Sequence, residues 1–184
     1  KIRDHFHYEG LIGCGYPGVV RNGITYTASN MDSSWIEADA SAIISNIIGQ
    51  EPSSLYLLND ADAAGIAEVK FGAGKNQKGV VIIITVGTGV GIAMFSNGIL
   101  VPNMEIGHLE IRNKDSEKRI SDAVRKKEDL SWKQWSKRFN EYVSFLEKYF
   151  WPDLIILGGG ICKKYDQFSS LLKSKTPIIP AQLG

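Results

Sequence analysis

The sequence predicts an α/β protein, because apolar strand segments alternate with helical patterns along its 184 residues. The clearest strand is "VVIIITV" at residues 80–86, a continuous apolar run typical of a strand buried on both faces. The clearest helix is at 132–149, where apolar residues recur every three or four positions. A second apolar strand, in "PDLIILGGGI" at 152–161, breaks into three glycines.

The first third of the chain predicts two strands, a helix and a further strand. The strand in 10–20 runs into a Gly/Pro turn, and the short strand in 22–29 follows an Asn-Gly turn. Apolar residues at helical spacing predict a helix over 35–48, with Asp32, Ser33 or Ser34 as its cap and Gly49 as its stop. A short buried strand is predicted at 55–58.

The remaining elements follow from the same signals. An alanine-rich helix is predicted at 61–71, ending at Gly72. Strands are predicted at 80–86 and 91–95, joined by "GTGVG", and "SNG" at 96–98 turns the chain again. A last helix is predicted at 164–173.

Composition limits the class of protein. A hydrophobic fraction of 43% and a net charge of +1 are ordinary for a soluble globular protein and do not favour nucleic acid as a partner. The longest apolar run falls far short of the roughly 20 residues that span a bilayer, and no secretory leader opens the chain. Cys14 and Cys162 form neither a disulfide framework nor a CxxC pair. We therefore expect a cytoplasmic protein without membrane partners.

A polar pair, Asn59-Asp60, follows the buried strand at 55–58. One interpretation is structural, with Asp60 capping the next helix and Asn59 shaping the turn. The other is functional, because ligands gather at the carboxyl ends of strands in α/β sheets. There, a carboxylate can accept the proton of a substrate hydroxyl while the neighbouring amide binds a second hydroxyl. A polyol is the ligand that fits this pairing.

Two glycine-rich turns follow buried strands. Gly87, Gly89 and Gly91 surround Thr88, and Gly158–Gly160 end the apolar strand in 152–161. Glycines let backbone N–H groups approach an anion closely, and a threonine hydroxyl adds a donor. The first turn is also compatible with a plain tight hairpin.

Glu105 and His108, in "PNMEIGHLE", lie three residues apart on one face of a helical turn. Three interpretations remain open: a capped helix start, a metal site built from His108 and carboxylates, or recognition of sugar hydroxyls. No cysteine cluster follows, which disfavours zinc.

Taken in order, "LNDADAAG", "GTGVG", "PNMEIGHLE" and "LGGGI" resemble the ROK sugar kinases of the actin-like ATPase superfamily. The segments "GYPGVV", "TASNMDSSW", "FGAGK", "LSWKQW", "WPDLIILGGGICKK" and "TPIIPAQL" resemble the polyphosphate glucokinase branch. The resemblance implies an actin-like (ribonuclease H-like) fold of two domains with a cleft between them. Residues 1–59 would be a remnant of the small domain, and 60–184 an incomplete large domain.

The resemblance also implies an activity, the transfer of a phosphoryl group from polyphosphate or ATP to the 6-hydroxyl of glucose. Asp60 would be the catalytic base, and Asn59, Glu105 and His108 would bind the sugar. Glu117 in "SEKRIS" fits the spacing of the family's E-x-x-A-S pattern and would be a further sugar ligand, with Glu110 a weaker candidate. The donor would contact Gly87, Thr88, Gly89, Gly158, Gly159 and Gly160. Mg2+ would accompany the donor, and the family implies a homodimer.

Two departures from the family pattern matter. The chain lacks the CxCGxxGC zinc motif, as does the polyphosphate branch, so no zinc is expected. It also lacks the opening DxGGTxxK-type phosphate loop and stops at "AQLG", so the resemblance implies a chain that is missing both ends.

The segment 112–138 holds ten of the 21 basic residues but only five acids. Such a surface suits a polyanion such as polyphosphate, although a charge run is commonly a solvated, salt-bridged face. Three alternatives to the polyphosphate glucokinase remain: an ATP-specific ROK hexokinase, a non-catalytic sugar-binding regulator, and a structural actin-like remnant.

Overall fold

The computed structural model describes residues 5, 7–8, 10–28 and 31–183. The chain divides into two compact units, Lys1–Ala63 and Ala64–Gly184. Ser29, at the end of the predicted strand 22–29, lies outside the described residues. The domain boundary predicted after residue 59 stays a prediction.

The first unit contains a parallel pair of strands, β1 (Ile12–Tyr16) and β4 (Leu55–Asn59). A small antiparallel pair, β2 (Val20–Arg21) and β3 (Ile24–Thr25), lies between them in sequence. The unit also contains helix α1 (Ala40–Ile48) and two 3₁₀ turns. Among the described residues of the unit, Tyr16, Val20, Ala40 and Leu57 form one buried hydrophobic cluster.

The predicted start of α1 was wrong. The helix begins at Ala40 rather than at residue 35, and its cap is Asp39, whose carboxylate accepts the N–H of Ala42 at 2.9 Å. Glu37 has a φ of 60°, which no right-handed helix allows. Its N–H donates to the carbonyl of Thr25 in β3. Asp32 instead caps the short turn Ser33–Trp35. Gly49 ends the helix in the left-handed region, as predicted.

Helix α2 (Asp60–Phe71) follows β4 without a linker and ends where the sequence predicted. Its cap is Asn59, because the Asn59 side-chain oxygen accepts the N–H of Asp62 at 3.1 Å. The structural interpretation had assigned this capping to Asp60. The Asp60 carboxylate instead lies exposed on the first helical residue.

The second unit is built on a five-stranded sheet with the order β7-β6-β5-β8-β9. Its strands are β5 (Val80–Val86), β6 (Val90–Ser96), β7 (Ile99–Val101), β8 (Leu154–Gly158) and β9 (Ile178–Pro180). β5 pairs antiparallel with β6 and parallel with β8. The predicted turn between β6 and β7 is present, with positive φ at Asn97 and Gly98.

Both faces of this sheet are covered, which explains the continuous apolar run of β5. Ile82 and Ile84 point into a core shared with Trp135 and Phe139 of the long helix Trp132–Phe150. Val81 and Ile83 point into a second core on the other face, against which Ile66 and Val69 of α2 pack. Strand residues alternate between faces, so a strand with two covered faces must be apolar at nearly every position.

Three helices lie between β7 and β8 in sequence: α3 (Glu117–Ile120), α4 (Asp122–Lys127) and α5 (Trp132–Phe150). Helix α5 matches the prediction and begins with a capping box between Ser131 and Gln134. Its apolar stripe is fully buried: Trp135, Phe139, Tyr142, Val143 and Leu146.

The predicted helix at 164–173 was wrong. Two 3₁₀ segments, Gly160–Gln167 and Ser169–Leu171, occupy this region. The Asn140 side chain of α5 binds both the carbonyl of Leu171 and the N–H of Lys173, each at 2.9 Å. These bonds tie the end of the segment to α5, and the backbone of Lys164, with a φ of -123°, already departs from helical geometry. In the described ranges, no helix is long and apolar enough to cross a bilayer.

Candidate active site

The predicted site residues fall in both units. Asn59 and Asp60 lie in the first, and the other predicted residues lie in the second.

Asn59 is a buried structural anchor at the end of β4. Its side chain is 8% exposed, its Nδ2 donates to the Gly18 carbonyl at 3.0 Å, and its oxygen caps α2. These bonds fix the turn after β1 to the start of α2. Asp60 is the next residue and therefore has a fixed backbone position with an exposed carboxylate.

The space beside Asp60 depends on a glycine of β1. A Cβ atom built on Gly15 would lie 3.3 Å from the Asp60 Cβ, a tight contact. Tyr16 and Asn59 are register partners in the parallel pair, so both strands end beside this carboxylate. The location matches the carboxyl-end position at which α/β proteins bind ligands.

In the second unit, the first glycine turn joins β5 to β6. The strand pairing ends at Val86 and Val90, and residues 87–89 form the turn. The carbonyl of Gly87 accepts the N–H groups of Asp122 and Ala123 at 3.0 and 3.3 Å, which holds the turn against α4. Thr88 at its tip is exposed.

The second glycine turn lies beside the first. β5 and β8 run parallel, and Thr85 pairs with Gly158, so both turns lie at the same edge of the sheet. Gly159 has a φ of 79°, and a Cβ there would lie 2.6 Å from the Val86 carbonyl oxygen, so only glycine fits. At Gly87 and Gly160 a Cβ would meet nothing within 4 Å, so the backbone there is open.

Glu117 connects the first glycine turn to the region of Glu105 and His108. Its Oε2 accepts the N–H of Val90 at 3.0 Å. A Cβ on Gly89 would lie 2.5 Å from this same oxygen, so the carboxylate occupies the space that a side chain at residue 89 would need. Glu110, the weaker candidate, is exposed and forms an isolated backbone bridge with Asp115.

Glu105 and His108 lie on one 3₁₀ turn, Glu105–His108, with the Glu105 Oε2 3.9 Å from the His108 Nε2. A Cβ on Gly107, between them, would lie 2.1 Å from the Val90 carbonyl oxygen. The turn therefore packs backbone to backbone against β6. The structure thus brings Glu105, His108 and Glu117 together around one end of β6.

Asp115 belongs to this group, and sequence reasoning missed it. Its Oδ2 lies 2.9 Å from the His108 Nδ1, and its Oδ1 accepts the N–H of Glu117 at 2.8 Å. No periodicity in the sequence links residue 115 to residue 108. The one available signal was its position two residues before Glu117.

The carboxylates around His108 change its acid–base behaviour. Burial of the ring acts to lower the pKa, but the hydrogen bond and charge of Asp115 and the charges of Glu117 and Glu105 outweigh it. The pKa of His108 is therefore raised above its usual value. Among the described residues, no group of three or more His, Cys, Asp or Glu side chains is arranged to hold a metal ion.

The basic segment 112–138 divides into paired and unpaired residues. Six of its ten basic side chains form ion pairs with Asp122, Glu128 or Glu141: Arg112, Lys114, Arg119, Arg125, Lys126 and Arg138. Within the part of the chain that the structure describes, the other four are exposed and have no ion pair: Lys118, Lys127, Lys133 and Lys137. The salt-bridged interpretation therefore applies to most, but not all, of this surface.

Comparison with known proteins identifies the family. The family model described as "ROK family" matches residues 1–119. The chain belongs to the ROK family. This confirms the resemblance drawn from the motifs.

ROK relatives with assigned activities match over the whole chain. The polyphosphate glucokinase of Mycobacterium tuberculosis (strain ATCC 25618 / H37Rv) is 44% identical over 183 residues, which cover 100% of this chain and 68% of that protein. The polyphosphate glucokinase of Mycobacterium leprae (strain TN) is 43% identical over 183 residues, which cover 100% of this chain and 56% of that protein.

Solved structures agree with the fold. The inorganic polyphosphate/ATP-glucomannokinase of Arthrobacter sp. strain KM superposes with a TM-score of 0.88 at 42% identity, covering 94% of this chain and 68% of that one. A ROK family glucokinase from Streptomyces griseus superposes with a TM-score of 0.80 at 20% identity, covering 98% of this chain and 79% of that one. The predicted actin-like α/β fold of the ROK sugar kinases is thereby confirmed.

Proposed function

We propose that this protein transfers a phosphoryl group from polyphosphate, and also from ATP, to the 6-hydroxyl of glucose, giving glucose 6-phosphate. The observation that carries the proposal is the 44% identity with a polyphosphate glucokinase across the whole chain. The polyphosphate/ATP-glucomannokinase at 42% identity supports the same donors and makes mannose the second acceptor to test.

On the acceptor side, Asp60 is the proposed base. Its carboxylate is exposed on a residue whose backbone is fixed by the bonds of Asn59. It would orient the 6-hydroxyl and accept its proton late, as the phosphoryl group arrives. A primary amide carries two N–H donors, so Asn59 has one left for a sugar hydroxyl after its bond to Gly18.

The other sugar hydroxyls are assigned to Glu105, His108 and Glu117. A glutamate accepts hydrogen bonds and an imidazole can donate or accept, so together they match hydroxyl groups, which do both. Their mutual proximity in the second unit supports a single ligand for the three.

On the donor side, we assign phosphate binding to the two glycine turns. The exposed hydroxyl of Thr88 and the open backbone at Gly87 and Gly160 suit an anion. Gly89 and Gly159 complete the two turns, and Gly158, also assigned to the donor, is the last residue of β8. Phosphoryl transfer depends mainly on positioning and on stabilising charge, which backbone N–H groups at a fixed strand edge can supply.

Mg2+ is proposed to arrive with the donor and to neutralise its charge. A magnesium ion commonly takes one or two protein carboxylates and several phosphate or water oxygens, so a protein cage of three ligands is not required. Lys118, Lys127, Lys133 and Lys137 are the proposed attachment points for a long polyphosphate chain. A homodimer, a cytoplasmic location and the absence of zinc, nucleic-acid and membrane partners remain predictions.

The proposal is tested by measuring glucose phosphorylation with Mg2+, comparing polyphosphate with ATP at matched phosphate. Asp60→Asn is the control, because it keeps the shape of the side chain but removes the base. We expect turnover to fall at least about 100-fold in this variant, with glucose affinity within a few-fold. Near-normal turnover in Asp60→Asn would remove the base assignment.

Turnover with each donor, together with thermal stabilisation by glucose, distinguishes the three alternative functions. Turnover with ATP alone would indicate an ATP-specific hexokinase. Thermal stabilisation by glucose without turnover on either donor would indicate a sugar-binding protein. Absence of any glucose-induced stabilisation would favour a structural remnant.

A further inference from the structure

One carboxylate, that of Asp115, contacts two of the side chains assigned to the sugar. Its Oδ2 lies 2.9 Å from the His108 Nδ1, and its Oδ1 accepts the N–H of Glu117 at 2.8 Å. Both the carboxylate and the imidazole are about one-third exposed, so solvent weakens this pair less than it would on an open surface.

The first contact decides which ring nitrogen of His108 carries a hydrogen. An ionised carboxylate can only accept hydrogen bonds, so the Nδ1 must be the donor. The Nε2 is then the nitrogen that remains for another partner, and it is the atom 3.9 Å from Glu105. In the neutral ring this Nε2 accepts a hydrogen bond, and in the charged ring it donates one.

The second contact fixes the start of α3. The N–H of Glu117 is held by Asp115, while the carboxylate of Glu117 reaches back to the N–H of Val90 at 3.0 Å. Backbone and side chain of Glu117 are therefore both anchored, and one of the anchors is Asp115.

We propose that Asp115 is a positioning residue that holds His108 in the Nδ1–H form and sets Glu117 for sugar binding. The inference rests on the proposed function, since His108 and Glu117 are assigned there to the sugar. Asp115 itself need not touch the substrate. Its effect is expected on glucose affinity, through the hydrogen that His108 presents.

Asp115→Asn is the informative change. The amide oxygen can still accept the N–H of Glu117, but its NH2 group can only donate towards the His108 Nδ1. The neutral ring must then carry its hydrogen on the Nε2, so the hydrogen bond offered near Glu105 is reversed. The variant removes the charge of Asp115 and leaves those of Glu105 and Glu117 near the ring. The pKa of His108 should therefore fall, because one of the three negative charges that stabilise the charged imidazole is lost.

Asp129→Asn is the matched control. Asp129 is exposed in the same basic segment, and its φ of 48° is one that asparagine also tolerates. The two variants therefore carry the same chemical change and the same loss of one negative charge. A difference between them reports on the position of the carboxylate.

Two measurements decide the proposal. Calorimetry gives the Kd for glucose, and long-range 1H–15N NMR gives the tautomer and pKa of His108, whose signals compete with those of only two other histidines. We expect Nδ1–H in the unaltered protein. Asp115→Asn should move the hydrogen to Nε2, lower the pKa and weaken glucose binding at least about tenfold, since a charged partner is lost. Asp129→Asn should leave the tautomer of His108, its pKa and the Kd for glucose unchanged.

An Nε2–H tautomer in the unaltered protein would overturn the proposal without any variant, and so would unchanged glucose affinity in a folded Asp115→Asn. Equal weakening by both variants would also overturn it, because the effect would then be one of net charge. These readouts need no turnover. Failure of the unaltered protein to make glucose 6-phosphate would therefore count against the proposed function separately.

Discussion

Glycines in the candidate site differ in what a side chain would displace. At Gly89 a Cβ would meet the end of the Glu117 side chain, at 2.5 Å from Oε2. At Gly107 it would meet the Val90 carbonyl oxygen, at 2.1 Å. A carboxylate on a flexible stem can move aside, whereas the backbone of a central strand cannot. The same substitution should therefore affect function at one position and stability at the other.

Gly89→Ala is expected to raise the glucose KM about tenfold while the free energy of unfolding falls by less than about 1 kcal/mol, because it displaces Glu117 without moving the fold. Gly107→Ala is expected to cost about 1–3 kcal/mol, the usual effect of overpacking. Urea unfolding and glucose kinetics on both variants test this. Gly160→Ala, where a Cβ meets nothing within 4 Å, is the control for unfolding. Equal stability of all three would contradict the clash at Gly107.

At the scale of elements, single side chains of α5 hold the irregular segment after β8. Glu147 Oε1 accepts the N–H groups of Lys175 and Thr176 and the hydroxyl of Ser174, at 2.6 to 2.8 Å. These bonds precede β9, one of the two edge strands of the five-stranded sheet. Partial burial acts to raise the pKa of Glu147, but the bonds to its charged form prevail and lower it.

Glu147→Gln is expected to lower the free energy of unfolding by about 1–3 kcal/mol at pH 7, because hydrogen bonds to a charged acceptor are stronger. A carboxyl group with a lowered folded pKa stabilises the fold above its unfolded pKa and loses that contribution as pH falls through the folded value. The gap between the unaltered protein and the variant should therefore narrow below about pH 4.5, the ordinary glutamate value. Urea unfolding of both proteins at pH 7 and pH 4 measures this difference in the free energy of unfolding. A gap that is constant with pH would contradict the role of the charge.

At the scale of the whole molecule, net charge and local charge diverge. The chain carries only +1, yet four exposed lysines without ion pairs among the described residues lie in one segment, at 118, 127, 133 and 137. Binding of a polyanion releases condensed counterions and is therefore strongly salt-dependent. ATP, which carries far fewer charges, should respond less.

We expect the polyphosphate KM to rise about tenfold or more between 0.1 and 0.3 M KCl, with a much smaller change for ATP. Replacing the four lysines by glutamine should raise the polyphosphate KM at low salt and flatten this dependence. A variant with Lys75, Lys78, Lys173 and Lys175 replaced loses the same charge from exposed positions elsewhere and serves as the control. If both quadruple variants behave alike, the segment is not the polyphosphate surface.

Sequence alone determined the elements whose signals are local and repeated. The apolar run of β5 and the periodic stripe of α5 each required burial against the sheet core, and both elements formed at the predicted places. The family motifs likewise needed no structure, since their order along the chain was sufficient. Gly49 ended α1 because the left-handed conformation of a helix stop favours glycine whatever surrounds it.

Tertiary structure decided what depends on partners distant in sequence. Helix α1 began five residues late because residue 37 bonds to β3. The segment after β8 is interrupted at Lys164, whose φ of -123° is not helical, and Asn140 of α5 binds its end. The capping role went to Asn59 rather than Asp60, and Asp115 entered the site through contacts across seven residues. Helical propensity differs by less than 1 kcal/mol among ordinary residues, so one or two long-range hydrogen bonds are enough to override it.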